Sequence, residues 1–89
     1  MGGNLIDWDL TISNPAERYL KRLSTDNQER IIRALKLLLA DRTLVDIKPL
    51  KGRNDWRLRV GDYRVIFIID NENKVYFVTK IGPRGDVYK

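Results

Sequence analysis

The stretch Trp56-Arg57-Leu58-Arg59-Val60-Gly61-Asp62-Tyr63-Arg64-Val65-Ile66-Phe67-Ile68-Ile69 decides the fold. Its first five residues alternate strictly. In a strand, successive side chains point to opposite sides, so Trp56, Leu58 and Val60 share one face and Arg57 and Arg59 the other. Gly61-Asp62 is a two-residue turn with glycine first, the chemistry of a type II′ hairpin. Tyr63 to Ile69 follows as a strand rich in β-branched residues. The turn sets the register, with Val60 opposite Tyr63, Arg59 opposite Arg64 and Arg57 opposite Ile66. Cross-strand partners share a face, so Arg57, Arg59 and Arg64 are expected to form one cluster of guanidinium groups. Like charges so placed destabilise a sheet unless an anion neutralises them, and the planar paired donors of arginine match phosphate oxygens. Each arginine alone would be an ordinary solvated charge; the three together point to an anion site.

Upstream, Leu5 to Ile12 alternates weakly and predicts a strand. Asn14-Pro15-Ala16-Glu17 predicts a helix start, with Asn14 as the cap, Pro15 at the first helical position and Glu17 placed to reach back to the cap. Tyr19, Leu20 and Leu23 form the apolar stripe of this helix, which runs to about Leu23. Thr25-Asp26-Asn27-Gln28 predicts a second start. Ile31, Leu35, Leu38 and Leu39 recur at helical spacing to about Ala40, with Ile32 broadening the stripe. Arg30, Arg33 and Lys36 read as a solvated helix face. The pattern fades from Asp41 to Asp55, which reads mostly as loop. Downstream, Asp70 to Asn73 predicts a polar turn and Val75 to Ile81 a last strand, broken by Gly82-Pro83. Trp56 and Trp8 are expected in the core and Tyr63 in a structural role. The expected fold class is α+β in one domain spanning residues 1–89: a strand, an antiparallel helical hairpin, then a three-stranded antiparallel meander, with the helices packed on one face of the sheet.

The chain has 89 residues, 17 basic and 12 acidic, for a net charge of +5. Between Lys48 and Arg64 lie six basic residues, Lys48, Lys51, Arg53, Arg57, Arg59 and Arg64, against only Asp55 and Asp62. Positive charge concentrated in this way attracts polyanions. There is no cysteine and no histidine. Disulfides, thiolate metal sites and any Ser-His-Asp or Cys-His catalysis are therefore excluded, and proton transfer would fall to Lys, Tyr, Asp or Glu. No metal and no cofactor are expected. The first ten residues carry Asp7 and Asp9 and no continuous apolar run, so neither a secretory signal nor a membrane span is expected, and the protein is expected to be cytoplasmic.

Leu58-Arg59-Val60-Gly61-Asp62-Tyr63-Arg64-Val65-Ile66-Phe67, followed by Val75 to Gly82, Arg84 and Val87-Tyr88, resembles the RelE/ParE superfamily of toxins. The resemblance takes in nearly the whole chain, including the helical pair and the lead-in Lys48-Pro49-Leu50-Lys51-Gly52. The ending Pro83-Arg84-Gly85 with Tyr88-Lys89 is most similar to archaeal RelE-like members. The resemblance implies a toxin of a type II toxin–antitoxin system that enters the ribosomal A site and cuts mRNA without a metal, a ribose 2′-hydroxyl attacking the adjacent phosphate. It implies a catalytic set of Arg57, Arg59, Arg64, Arg84 and Tyr88. Arg64 would stabilise the transition state, and Tyr88 would stack on or activate the substrate. Lys48, Lys51, Arg53, Lys80 and Lys89 would add RNA contacts. The partners implied are a RelB-type antitoxin, the ribosome and mRNA. Several family members carry Lys where this chain has Arg57 and Arg59, and many carry His or Lys where it has Pro83. A guanidinium stays protonated and is no general base, so the base is left open. A ParE-like DNA gyrase inhibitor without nuclease activity, and a catalytically weakened RNA- or ribosome-binding homologue, remain as alternative readings.

Overall fold

The computed structural model describes residues 8–85, so what was expected of residues 5–7, Tyr88 and Lys89 lies outside the described residues. Five strands form one sheet: β1 (Asp9–Ile12), β2 (Ile47–Pro49), β3 (Trp56–Val60), β4 (Tyr63–Asp70) and β5 (Val75–Pro83). Their order across the sheet is β1-β5-β4-β3-β2, with β1 parallel to β5 and every other pair antiparallel. Helices α1 (Asn14–Arg22) and α2 (Thr25–Ala40) cover one face. Ala16, Leu20, Ile31, Leu35 and Leu38 from the helices meet Leu58, Val65, Phe67, Tyr76, Val78 and Ile81 from the sheet in a single core. Trp8, Trp56 and Tyr63 pack against it, as expected. Burying each large apolar side chain stabilises by roughly 1.5–3 kcal/mol, which is what a domain this small depends on.

The helix starts differ from the expectation by one residue. Ser13 caps α1, its hydroxyl accepting from Ala16 N, and Ser24 caps α2, accepting from Asn27 N. Asn14 and Thr25 are the first helical residues instead. Ser13-Asn14 and Ser24-Thr25 each offer two residues able to cap, and the serine wins because its backbone is extended while the next residue is already helical. Ile32 is exposed rather than part of the buried stripe.

Two further corrections concern strands. The segment Asp41 to Asp55 holds a 3₁₀ turn at Arg42–Leu44 and the strand β2, so the antiparallel part of the sheet has four strands rather than three. The last strand also runs through Gly82 to Pro83, where Arg64 pairs with Gly82 and Tyr63 with Pro83. Proline is tolerated there because β1 has ended at the level of Val78, leaving that side of β5 without a ladder to donate to. The 3₁₀ turn has its own function. Arg42 lies over the Trp8 ring at 5.0 Å and the Tyr76 ring at 5.6 Å, while Trp8 and Tyr76 stack at 4.7 Å. These contacts tie the start of β1 to the chain leaving α2.

Two carboxylates, exposed Asp41 and half-buried Asp70, brace turns. Asp41 takes hydrogen bonds from the Thr43 hydroxyl and backbone, and Asp70 from the Asn73 side chain and backbone; those bonds hold both groups below the ordinary carboxylate pKa. A lowered folded-state pKa contributes stability that is present above the unfolded value, about 3.9, and is lost as pH falls through the folded one. Asp70→Asn is therefore expected to lower the melting temperature at neutral pH and to leave it unchanged at a pH low enough to protonate Asp70 in the folded state as well. Equal losses at both pH values would assign the effect to packing instead of charge.

Candidate nucleic-acid interface on the open sheet face

The expected hairpin register is present residue for residue: Arg57↔Ile66, Arg59↔Arg64 and Val60↔Tyr63. Gly61 has φ 55° and Asp62 is not in the left-handed region, as a type II′ turn requires. Arg59 N donates to Asp46 O on the β2 side, so Arg59 and Arg64 form a pair without mutual backbone hydrogen bonds. Such pairs stand closest, with Cα atoms about 4.5 Å apart.

On the face away from the helices, two rows cross the sheet. One runs Lys48, Arg57, Ile66, Lys80, and the other Arg59, Arg64, Gly82. Lys80 reaches this face through a bulge in β5. Ile66 pairs with Lys80 while Phe67 pairs with Val78, leaving Thr79 as the extra residue. The bulge lets Val78 and Ile81, three apart, both point into the core. It is held by Thr79 Oγ1 donating to Ile66 O and by Ser13 Oγ donating to Thr79 O, so the cap of α1 also secures the bulge. Ile66 is only 2% exposed yet stands outside the core cluster, on the open face between Arg57 and Lys80. Beside these rows, Ile68 and Phe77 pair across the strands and are 40% and 41% exposed, with Thr11 next in line. The face thus offers a cationic half and an apolar, partly aromatic half.

The three arginines are not equivalent. Arg59 is exposed, and among the described residues its side chain has no ion-pair partner. Arg57 is half-buried and its Nη1 donates to an Asp46 carboxylate oxygen at 3.1 Å. Arg64 is 6% exposed, and its Nη1 donates to Gly61 O and Tyr63 O, both at 2.9 Å. The three share a face as expected, but the expected cluster of guanidinium groups is loosened, since Arg64 turns toward the hairpin carbonyls and Arg57 toward Asp46. Arg64 folds back onto the hairpin turn, where backbone carbonyls accept its hydrogen bonds, and among the described residues it is in no ion pair. Neither of its other guanidinium nitrogens is buried without a partner.

The remaining expected residues divide by position. Arg84 follows β5 and its N donates to Asp62 O at 2.9 Å, which places it at the hairpin end near Arg59 and Arg64. Lys51 and Arg53 lie in the turn between β2 and β3, at the opposite end of β3, roughly 13 Å away along the strand. Arg53 is paired with Asp55 at 2.6 Å. Those two are therefore not gathered with the arginine pair, because β2 makes the segment before β3 double back. Sequence reasoning missed Asp46. Its position one residue before a three-residue strand gives no signal until the pairing of β2 with β3 is known. Its carboxylate stands where an RNA phosphate would compete for Arg57. Asp46→Asn is expected to leave stability within about 1 kcal/mol, as for most exposed ion pairs, and to raise affinity for single-stranded RNA by up to about fivefold. Unchanged affinity by fluorescence anisotropy would show that Asp46 does not compete.

Among the described residues no group of acidic side chains could hold a metal, and no helix is long and apolar enough to cross a membrane. Residues 10–88 match the family model described as the ParE toxin of the type II toxin–antitoxin system parDE. The curated protein RelE1 of Methanocaldococcus jannaschii is 31% identical over 74 residues, covering 79% of this chain and 82% of that one. The crystal structure of the archaeal RelE–RelB complex from Pyrococcus horikoshii contains a chain that superposes with a TM-score of 0.76 at 26% identity, over 91% of this chain and 99% of that one. The isolated E. coli RelE toxin superposes with a TM-score of 0.71 at 20% identity, over 91% and 90%, a likeness of fold alone.

Proposed function

Because the chain belongs to the ParE toxin family of type II toxin–antitoxin systems, within the RelE/ParE superfamily, we propose that it is a RelE-type endoribonuclease that cuts mRNA in the ribosomal A site. The observation that carries this reading is the Arg59–Arg64 pair, two like charges directly opposite on the open face, with Arg57 and Lys80 in the adjoining row. A scaffold that keeps such a pair at a stability penalty is suited to a phosphodiester. In the proposed reaction the ribose 2′-oxygen forms a bond to the adjacent phosphorus. The bond from phosphorus to the 5′-oxygen of the next nucleotide breaks, leaving a cyclic phosphate; the 2′-hydroxyl gives up its proton to a base, and the departing 5′-oxygen takes one up to become a hydroxyl. Arg59 and the outer edge of Arg64 would carry the charge that builds on the phosphoryl oxygens, and Arg57 would join them once it leaves Asp46. Phe77 offers an exposed ring on which a neighbouring base can stack. The guanidinium groups bind and polarise but take no proton, so the general base lies elsewhere; Tyr88 is the first candidate.

An antitoxin partner follows from the same family and from the RelE–RelB complex of the P. horikoshii relative. An antitoxin with an acidic and apolar segment would cover the open face, meeting the arginines with carboxylates and Ile68 and Phe77 with apolar side chains. The ParE description of the family model keeps a second reading in play, inhibition of DNA gyrase without nuclease activity. Primer extension on mRNA with purified ribosomes, run beside a gyrase supercoiling assay, separates the two. Cuts that need ribosomes, with supercoiling unaffected, are expected. Blocked supercoiling without cuts would overturn the nuclease reading.

A further inference from the structure

Arg30 reads from sequence as a solvated charge on α2, but the fold brings it to the hairpin tip. A methyl group placed on Gly61 would stand 3.9 Å from Arg30 Nη1, so the guanidinium lies against the side of the turn where glycine leaves room. Asn27, three residues earlier on α2, donates to the Tyr63 hydroxyl at 3.2 Å, which holds the N-terminal half of α2 over the turn. From the other side Arg64 Nη1 binds Gly61 O, and Arg84 N binds Asp62 O. Arginines from α2, β4 and the segment after β5 therefore surround Gly61-Asp62, with Arg59 on the strand that enters the turn. Asp62 is the one carboxylate of the turn itself, and none of Arg30, Arg59 and Arg84 is in an ion pair among the described residues. Beyond Arg30 along α2 come Arg33 and Lys36, each three residues from the last; these two flank an open depression of about 400 Å³ shared with Glu29.

We propose that Arg30 is a phosphate-binding residue: the RNA backbone that crosses the open sheet face continues over the Gly61-Asp62 tip and meets Arg30, with Arg33 and Lys36 next on the same path. The inference rests on the reading of the sheet face as an RNA site and extends it to a flanking part of the same strand. Single-stranded RNA fits this path because it bends over a narrow edge, and its repeating charge matches cations spaced along a surface.

The test is fluorescence anisotropy with labelled single-stranded RNA of about four and about fourteen nucleotides, at several salt concentrations. For the long RNA, Arg30→Ala is expected to weaken binding and to lower the slope of log affinity against log salt by about 0.7, one phosphate contact on a single strand. For the short RNA, which fills the sheet face alone, no change is expected. Arg30→Lys should restore the slope, and Arg18→Ala, the same charge removed from α1, should leave it unaltered. Thermal melting checks that each variant is folded. An unchanged slope in Arg30→Ala overturns the proposal, and an accompanying drop in Arg59→Ala then leaves the sheet-face reading standing. Equal effects of Arg18→Ala and Arg30→Ala would mean diffuse attraction, and failure of Arg30→Lys would mean packing against the turn; either overturns it. An equal loss with the short RNA would place Arg30 inside the sheet-face site and would likewise end the idea of a continuing path.

Discussion

Arg64→Ala is expected to slow ribosome-dependent mRNA cleavage by about 10²–10³-fold, the usual effect of deleting one donor to a charged transition state. It is also expected to lower the melting temperature by at least about 12 °C. The second effect comes from the two hydrogen bonds that Nη1 makes to Gly61 O and Tyr63 O. Bonds from a charged donor contribute about 1.5–3 kcal/mol, and each kcal/mol moves the melting temperature of a domain this size by about 4–8 °C. The side chain is nearly buried, so water cannot fully replace it at those carbonyls. One arginine thus closes the hairpin with one edge and, in the proposed reaction, would serve the substrate with the other. Arg64→Lys separates the roles. An ammonium can occupy one set of acceptors but lacks the fork to hold the turn and a phosphate together. This variant should recover part of the stability and little of the rate. Cleavage is measured well below the melting temperature of each variant, with circular dichroism to show that it is folded. Full cleavage by folded Arg64→Ala would remove Arg64 from the reaction, and an unaltered melting temperature would remove it from the bracing of the turn.

The hold of Arg64 on its own turn marks where sequence reasoning reached its limit. The β3–β4 register was legible because it depends on two things that lie side by side in the chain, strict alternation and a two-residue turn with glycine first. From it followed the shared face of Arg57, Arg59 and Arg64. What each guanidinium touches was not legible, since a seven-atom side chain chooses among partners that tertiary structure brings. Arg57 found Asp46 across the β2–β3 pairing, and Arg64 found the carbonyls of its own turn. The strand β2 escaped notice because three residues carry too little periodicity to stand out, and its pairing with β3 is what makes it a strand. The bulge at Thr79 depends on Ile66 O and on the Ser13 hydroxyl, the latter 66 residues away in sequence. Arg30 looked like any charge on a wet helix face until the Asn27–Tyr63 hydrogen bond set α2 above a glycine turn. The resemblance to RelE/ParE toxins ran over nearly the whole chain, and its most specific part was the Arg59-to-Arg64 hairpin, whose conformation is most local.

Arg59→Ala is expected to act with opposite signs on stability and on RNA binding. Arg59 and Arg64 face each other as a close pair, and like charges so placed destabilise by about 0.2–1 kcal/mol. Arg64 is fixed by its carbonyl partners, so the strain is relieved by removing Arg59, which is exposed and has no ion pair of its own. The melting temperature should therefore rise by roughly 2–4 °C. Affinity for RNA should fall by about 10- to 100-fold, the equivalent of one charge-assisted contact of about 1.5–3 kcal/mol. The slope of log affinity against log salt should drop by about 0.7 in the same variant. Raising the salt concentration provides an internal check. Counterions screen the repulsion between Arg59 and Arg64, so the stability gain of Arg59→Ala should shrink toward zero near 1 M salt, where the screening length is about 3 Å. A variant that melts lower than the parent and binds RNA equally well would make Arg59 a packing residue. The open face would then hold no anion site, and the nuclease reading would lose the pair that carries it.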